Sequence, residues 1–133
     1  ITLTNLGNTH FYLGDYAKQR DMLERALAIK ERTYGRDHAR VAPTLTNLGG
    51  AYSALGENSR AVEVLKRSAE IKERVYGRDH TEVAKPLLGI GVAYFRLQDM
   101  ASARGALEPA LVIFERTGHA SAGPCRNLLK RCY

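Results

Sequence analysis

The chain has 133 residues and a mass of 14.7 kDa, with 44% hydrophobic and 26% charged residues, which fits one globular domain or one short repeat array and excludes disordered and collagen-like chains. Twenty Lys and Arg against fourteen Asp and Glu leave a net charge of +6, a moderate excess that favours acidic partners without marking a nucleic-acid binder. No apolar run approaches the ~18 residues that a membrane span requires, so no membrane partner is expected.

The chain repeats itself. Leu3 to Gly7 reads LTNLG and returns at Leu45 to Gly49, while IKERTYGRDH at Ile29 to His38 returns as IKERVYGRDH at Ile71 to His80. Both offsets are 42 residues, and aligning residues 3–44 with 45–86 gives about 20 identities, far beyond chance for unrelated segments. A third copy keeps Leu87, Gly91, Tyr94, Leu97, Leu107 and Ile113 on the same spacing.

In chain order, Leu3, Leu6, His10 and Leu13 recur at helical spacing, a break is expected at Gly14-Asp15, and Leu23, Ala26 and Leu27 mark a second amphipathic helix. That helix is expected to end at Tyr34-Gly35, where glycine adopts the left-handed conformation. The second copy repeats the pattern with Leu45, Leu48, Tyr52 and Leu55, a break at Gly56-Glu57, then Leu65 and Ala69 up to Tyr76-Gly77. The third has Leu87, Ile90, Tyr94 and Leu97, a break at Gln98-Asp99, then Leu107, Ala110 and Leu111. Asp79 with Glu82 three residues on has capping-box spacing, so the helix after the connector is expected to start there. Asp21/Arg25, Glu63/Arg67 and Glu70/Arg74 are spaced as i,i+4 pairs.

No segment alternates with period two, and no Asn-Gly or Asp-Gly pair separates apolar runs. A two-helix unit of this size cannot bury its apolar face alone, so neighbours must stack around a shared core. The expected fold is all-α, a right-handed α-solenoid of stacked antiparallel helix pairs. Its repeats span 1–42, 43–84 and 85–124, with a further helix beginning at 125–133. Gly7, Gly49 and Gly91 fall on the core side of the first helices, where a missing Cβ lets a second helix approach. The chain opens at Ile1 and closes at Tyr133 inside a periodic pattern, which reads as an excerpt of a longer array.

The Leu-Gly pair, the Tyr three residues on, the Gly-Asp turn and the small residues of the second helix resemble the tetratricopeptide repeat. Here those residues are Leu6-Gly7-His10, Leu48-Gly49-Tyr52 and Ile90-Gly91-Tyr94, with Ala61, Leu65 and Ser68 and with Ala103, Leu107 and Ala110. Glu31, Glu73 and Glu115 stand where the common 34-residue form has a helix-ending proline. The 42-residue period and the Tyr-Gly-x-Asp-His connector are similar to the repeats of kinesin light chains.

The resemblance implies a non-catalytic interaction scaffold or adaptor with a concave groove lined by the first helices, binding a peptide segment of a partner protein. The residues expected to line it are Thr4, Asn5, Asn8, Phe11 and Tyr12 in repeat one, Thr46, Asn47, Gly50 and Ser53 in repeat two, and Lys85, Leu88, Val92, Phe95 and Arg96 in repeat three. Residues 1–13, 41–55 and 83–97 contain no Asp or Glu, so the groove is expected to be neutral to positive and to prefer an acidic or C-terminal-carboxylate peptide, with an apolar anchor near Phe11, Tyr12 or Phe95. At the positions of the two-carboxylate clamp found in chaperone-tail-binding members, Asn8, Asn47 and Lys85 match, whereas Thr4 and Gly89 replace basic residues. That argues against this particular ligand. The competing reading is a purely architectural spacer, or a segment that self-associates through its repeat ends.

No residues support catalysis. Asp37-His38 and Asp79-His80 recur at the repeat period and read as connector caps. His119, Cys125 and Cys132 lack metal-ligand spacing, and no glycine-rich phosphate loop or nucleophile elbow occurs, so neither metal nor cofactor is expected. Arg116, Arg126, Lys130 and Arg131 lack interleaved stacking aromatics and read as a solvated face, which argues against nucleic acid. Cys125 and Cys132 lie seven residues apart in a helical segment, too far to bridge. Free thiols suit a reducing compartment, so a cytoplasmic location is expected.

Overall fold

The computed structural model describes the backbone of residues 2–133 and the side chains from residue 14 onward. The described residues form α1 (Thr2–Tyr34), a 3-10 turn (Ala39–Val41), α2 (Ala42–Ala54), α3 (Asn58–Tyr76), α4 (Thr81–Arg96), α5 (Met100–Thr117) and α6 (Ala122–Lys130). No strand occurs among them, and each helix packs chiefly against its neighbours in sequence. That is an all-α solenoid, built of local contacts. Among the described residues no helix is long and apolar enough to cross a membrane.

The core forms two clusters along the array. Leu45, Leu48, Tyr52, Leu65 and Ile71 centre the first, with Leu23 and Leu27 of α1 packed against it. Leu107, Ile113, Phe114, Cys125 and Cys132 centre the second, and Leu87 and Tyr94 of α4 touch both. Both cysteines are free and buried. Tyr52 donates to the Glu24 carboxylate, and burial first, then that bond, pushes its phenol up to about 12.

Two glycines set the helix spacing. A Cβ on Gly49 would lie 2.6 Å from Leu65 Cγ, and one on Gly91 would overlap the Leu107 side chain. Leu65 and Leu107 are themselves one period apart, so the same leucine presses on the same bare backbone in successive repeats. Gly50, one residue along, faces open space.

The helix ends are only partly as expected. Gly56 and Gln98 both adopt positive φ (79° and 62°) and turn the chain into α3 and α5. Gly14-Asp15, expected to do the same, lies inside α1, which runs through it without a break. A glycine lowers helix propensity by only ~1 kcal/mol and does not by itself end a helix. The turns at 56 and 98 are also closed by backbone bonds, from Glu57 N–H to Tyr52 O and from Asp99 N–H to Tyr94 O. Consistent with the unbroken helix, Met22 and Ile29 are exposed (68% and 58%), whereas Val64 and Ile71, one period on, are buried beside α2.

The connectors also differ in their chemistry. His38 and His80, rather than the preceding aspartates, cap the next element: Nδ1 of each accepts from the backbone N–H two residues on, at 3.1 and 3.0 Å. Their rings stack on Tyr34 and Tyr76 at 4.9 and 4.7 Å, which fixes the imidazole where the cap needs it. Asp37 instead offers its carbonyl to Arg74, and Asp79 lies 3.9 Å from Arg116. Gly35 and Gly77 do end their helices at positive φ, but the ψ of 157° at Gly77 is extended rather than left-handed helical. None of the three i,i+4 pairs is formed among the described residues: Arg67 pairs with Glu31 and Arg74 reaches Asp37, so both leave their own helix to pin the preceding connector.

Gly49→Ala is expected to destabilise the chain by about 1–3 kcal/mol through overpacking against Leu65, while Gly50→Ala is expected to be neutral or stabilising by up to ~1 kcal/mol. Urea denaturation of both variants checks the pair. Equal effects would remove the claim that Gly49 carries a contact.

Candidate functional site

The first helices of repeats two and three are α2 and α4, and the hollow between them gathers residues from each. Thr46, Gly50 and Ser53 of α2 face Lys85, Gly89 and Val92 of α4 around a cavity of about 260 Å³. Its floor is Leu65 of α3, visible because Gly49 and Gly89 carry no side chains to cover it. Thr46 and Lys85 also border a second hollow of about 330 Å³ that continues toward the connector end, past Asn47, Pro43 and Ile71. The two cavities therefore form one trough along the helix pair.

Polar groups along the trough are largely fixed by bonds. The Thr46 hydroxyl donates to the Ala42 carbonyl at 3.1 Å and lies 2.6 Å from Ser68 Oγ. Arg96 Nη1 donates to both the carbonyl and the hydroxyl of Ser53, each at 3.1 Å, and so bridges α4 to α2. A guanidinium has five N–H donors, so most remain for another acceptor. Among the described residues no carboxylate pairs with Arg96.

At the other end Glu82 borders the trough, one residue outside the acid-free stretch 83–97, so the inner surface is not wholly free of carboxylates. It is held between two cations, 2.7 Å from Lys85 Nζ and 3.5 Å from Lys72 Nζ. The three charges sum to one positive. The Lys85 ammonium, more than that of Lys72, holds the Glu82 carboxyl below its usual range.

The other expected residues divide into two groups. Leu88 and Phe95 stand one period beyond Thr46 and Ser53 but pack against the second core cluster, with Arg131 over the Phe95 ring at 4.9 Å. Phe95 is not among the residues that line the α2–α4 hollow. The side chains of Thr4, Asn5, Asn8, Phe11 and Tyr12 lie outside the described residues. The pairing of Arg96 with Ser53 and the role of Leu65 as floor were not foreseen, because the 42-residue register relates Gly49 to Gly91 and Gly89 to Asn47, so it does not mark Gly89 as the partner of Gly49 over Leu65. Among the described residues no group of His, Cys, Asp or Glu could hold a metal ion.

The lowered Glu82 carboxyl stabilises the folded chain above the pH at which an unfolded glutamate titrates, about 4.3. That contribution is lost as pH falls through the lower folded value. Glu82→Gln is expected to lower Tm at pH 7 and to converge on the parent at pH 3, read by thermal denaturation across that range. A constant difference at every pH would contradict the pairing.

A family model described as "Tetratricopeptide repeat" matches residues 1–74. No curated protein matches the chain. Among solved structures, the chain is similar to a candidate kinesin light chain of Podosopora anserina with nearly identical TPR-like repeats, at 23% identity and a TM-score of 0.80, covering 96% of this chain and 63% of that one. A single-substitution variant of the same protein gives 23% and 0.81, covering 96% and 62%. BtubC (BKLC) of P. vanneervenii gives 22% and 0.70, covering 93% of this chain and 59% of that one. The chain thus spans less than two thirds of each of these neighbours, and at these identities they speak for the fold alone. With the family match over more than half its length and the repeating helix pairs described above, the chain belongs to the tetratricopeptide repeat family.

Proposed function

We propose that this stretch of chain is a non-catalytic interaction scaffold whose α2–α4 trough receives an extended, acidic segment of a partner protein. Tetratricopeptide repeats serve in general as protein-interaction scaffolds, which supports the coarse part of the reading. The observation that carries the finer part is the arrangement of cations about a bare floor. Lys85 lines the glycine-lined cavity, Arg96 reaches it through its bonds to Ser53, and the two cations are eleven residues apart on one helix, about 16 Å at 1.5 Å per residue. An extended chain covers that distance in roughly five residues.

Between the cations, Gly50 and Gly89 leave room for a side chain of moderate size over Leu65. Arg96 is held in place by Ser53 before any ligand arrives, which lowers the ordering cost of binding a carboxylate. Lys85 must exchange Glu82 for the ligand, so it contributes less.

The test is a peptide-array scan followed by titration of the best binder. Acidic peptides with carboxylates four to six residues apart are expected to be preferred. Arg96→Glu is expected to weaken binding at least about tenfold, and Gly50→Leu, which fills the cavity from a position with free space, is expected to block it. Preference for basic peptides, or indifference to both changes, would leave the repeats as a spacer or a self-association segment.

A further inference from the structure

The 42-residue period places two versions of one seam in the same molecule. Between α1 and α3, Arg67 closes the seam: its Nη2 donates both to the Glu31 carboxylate and, at 3.2 Å, to the Arg36 carbonyl oxygen. One period later, between α3 and α5, both acceptors recur as Glu73 and the carbonyl of Arg78. The residue in the place of Arg67 is Pro109. It supplies no charge and no donor.

The consequence is an opening. Glu73, Arg78 and Pro109 line one cavity of about 430 Å³, whose remaining wall is largely apolar, with Leu87, Val112 and Ile113. It shares no lining residue with the α2–α4 trough. Small residues widen the seam further: Ala69 stands where α1 has Leu27, and Gly105 where α3 has Glu63.

The acceptors are also available. Glu73 has one ion pair among the described residues, with Arg78 at 3.4 Å, and the Arg78 side chain is 88% exposed, so water competes strongly for that contact. No described donor reaches the Arg78 carbonyl. Because Pro109 has no N–H, the Gly105 carbonyl, which borders the same seam, lacks its helical donor as well.

We infer that the α3–α5 seam is a second docking site, receiving an arginine side chain of a partner protein between Glu73 and the Arg78 carbonyl while an apolar neighbour of that arginine lodges against Leu87 and Ile113. The chain itself displays the fit, since Arg67 fills the equivalent place with the equivalent acceptors. Arginine is favoured over lysine because a planar fork of donors serves a carboxylate and a carbonyl together. The inference is independent of the acidic-peptide reading of the trough.

The test uses the 15N-labelled chain titrated with acetyl-Leu-Arg-Leu-amide and with its citrulline analogue. Amide shifts are expected at Ala69, Glu73, Leu87 and Val112. Citrulline in place of arginine, or Glu73→Gln in the chain, is expected to weaken binding roughly tenfold. Pro109→Arg restores the missing guanidinium and removes a mid-helix proline, so it is expected to fold at least as stably as the parent and to abolish the seam shifts. Several results would overturn the inference: no seam shifts up to about 10 mM peptide, binding unchanged by citrulline or Glu73→Gln, shifts clustered instead at Gly50 and Val92, or a self-association that Pro109→Arg blocks, which would assign the seam to a second copy.

Discussion

The whole array depends on how closely two helices can approach where one of them has no side chain. Leu65 presses on Gly49 and Leu107 on Gly91, and each contact fixes the distance between the two helices of a repeat. Burying a leucine is worth about 1.5–3 kcal/mol, more than the ~1 kcal/mol that a mid-helix glycine costs in propensity. With that spacing set, α4 can lie against both α3 and α5, and the core continues through Leu87 and Tyr94 from one cluster to the next. The trough follows from the same constraint, because the glycines that admit Leu65 from behind also leave it visible from the front.

A strict period in the framework coexists with variation at its surfaces. The inner positions of repeat two are Thr46, Gly50 and Ser53, which leave a hollow, whereas those of repeat three are Leu88, Val92 and Phe95, and Leu88 and Phe95 pack into the second core cluster. On the seams between second helices the contrast runs the other way. Arg67 closes the first seam with a charge-assisted pair, and Pro109 leaves the second open. Both proposed docking sites therefore rest on departures from the period, while the core contacts rest on the period itself.

How legible this was in the sequence follows the same division. The period, the helix pairs after residue 42, the close approach at Gly49 and Gly91 and the separate cysteines depend on residue type and spacing alone, and they could be read directly. The turn expected at Gly14-Asp15 could not, because a glycine permits a reversal and only the closing bonds and the packing partner enforce it. The capping role expected for Asp79 passed to His80, since stacking on Tyr76 holds the imidazole in place and no linear pattern records that stacking. Arg67 and Arg74 had an acid four residues before them on their own helix and chose the preceding connector instead, where carbonyl oxygens offered further bonds. Of the trough, the small and basic residues were legible, but the pinning of Arg96 by Ser53 and the intrusion of Glu82 depend on contacts across helices.

The most direct measurement of the central claim is a double-mutant cycle between Gly49 and Leu65, read by chemical denaturation. If the two groups occupy each other's space, the methyl of Gly49→Ala partly fills the void left by Leu65→Ala, and the double variant is expected to be no less stable than Leu65→Ala alone, with a coupling of at least ~1 kcal/mol. Additive losses would contradict the account, since they would mean that the glycine and the leucine do not meet.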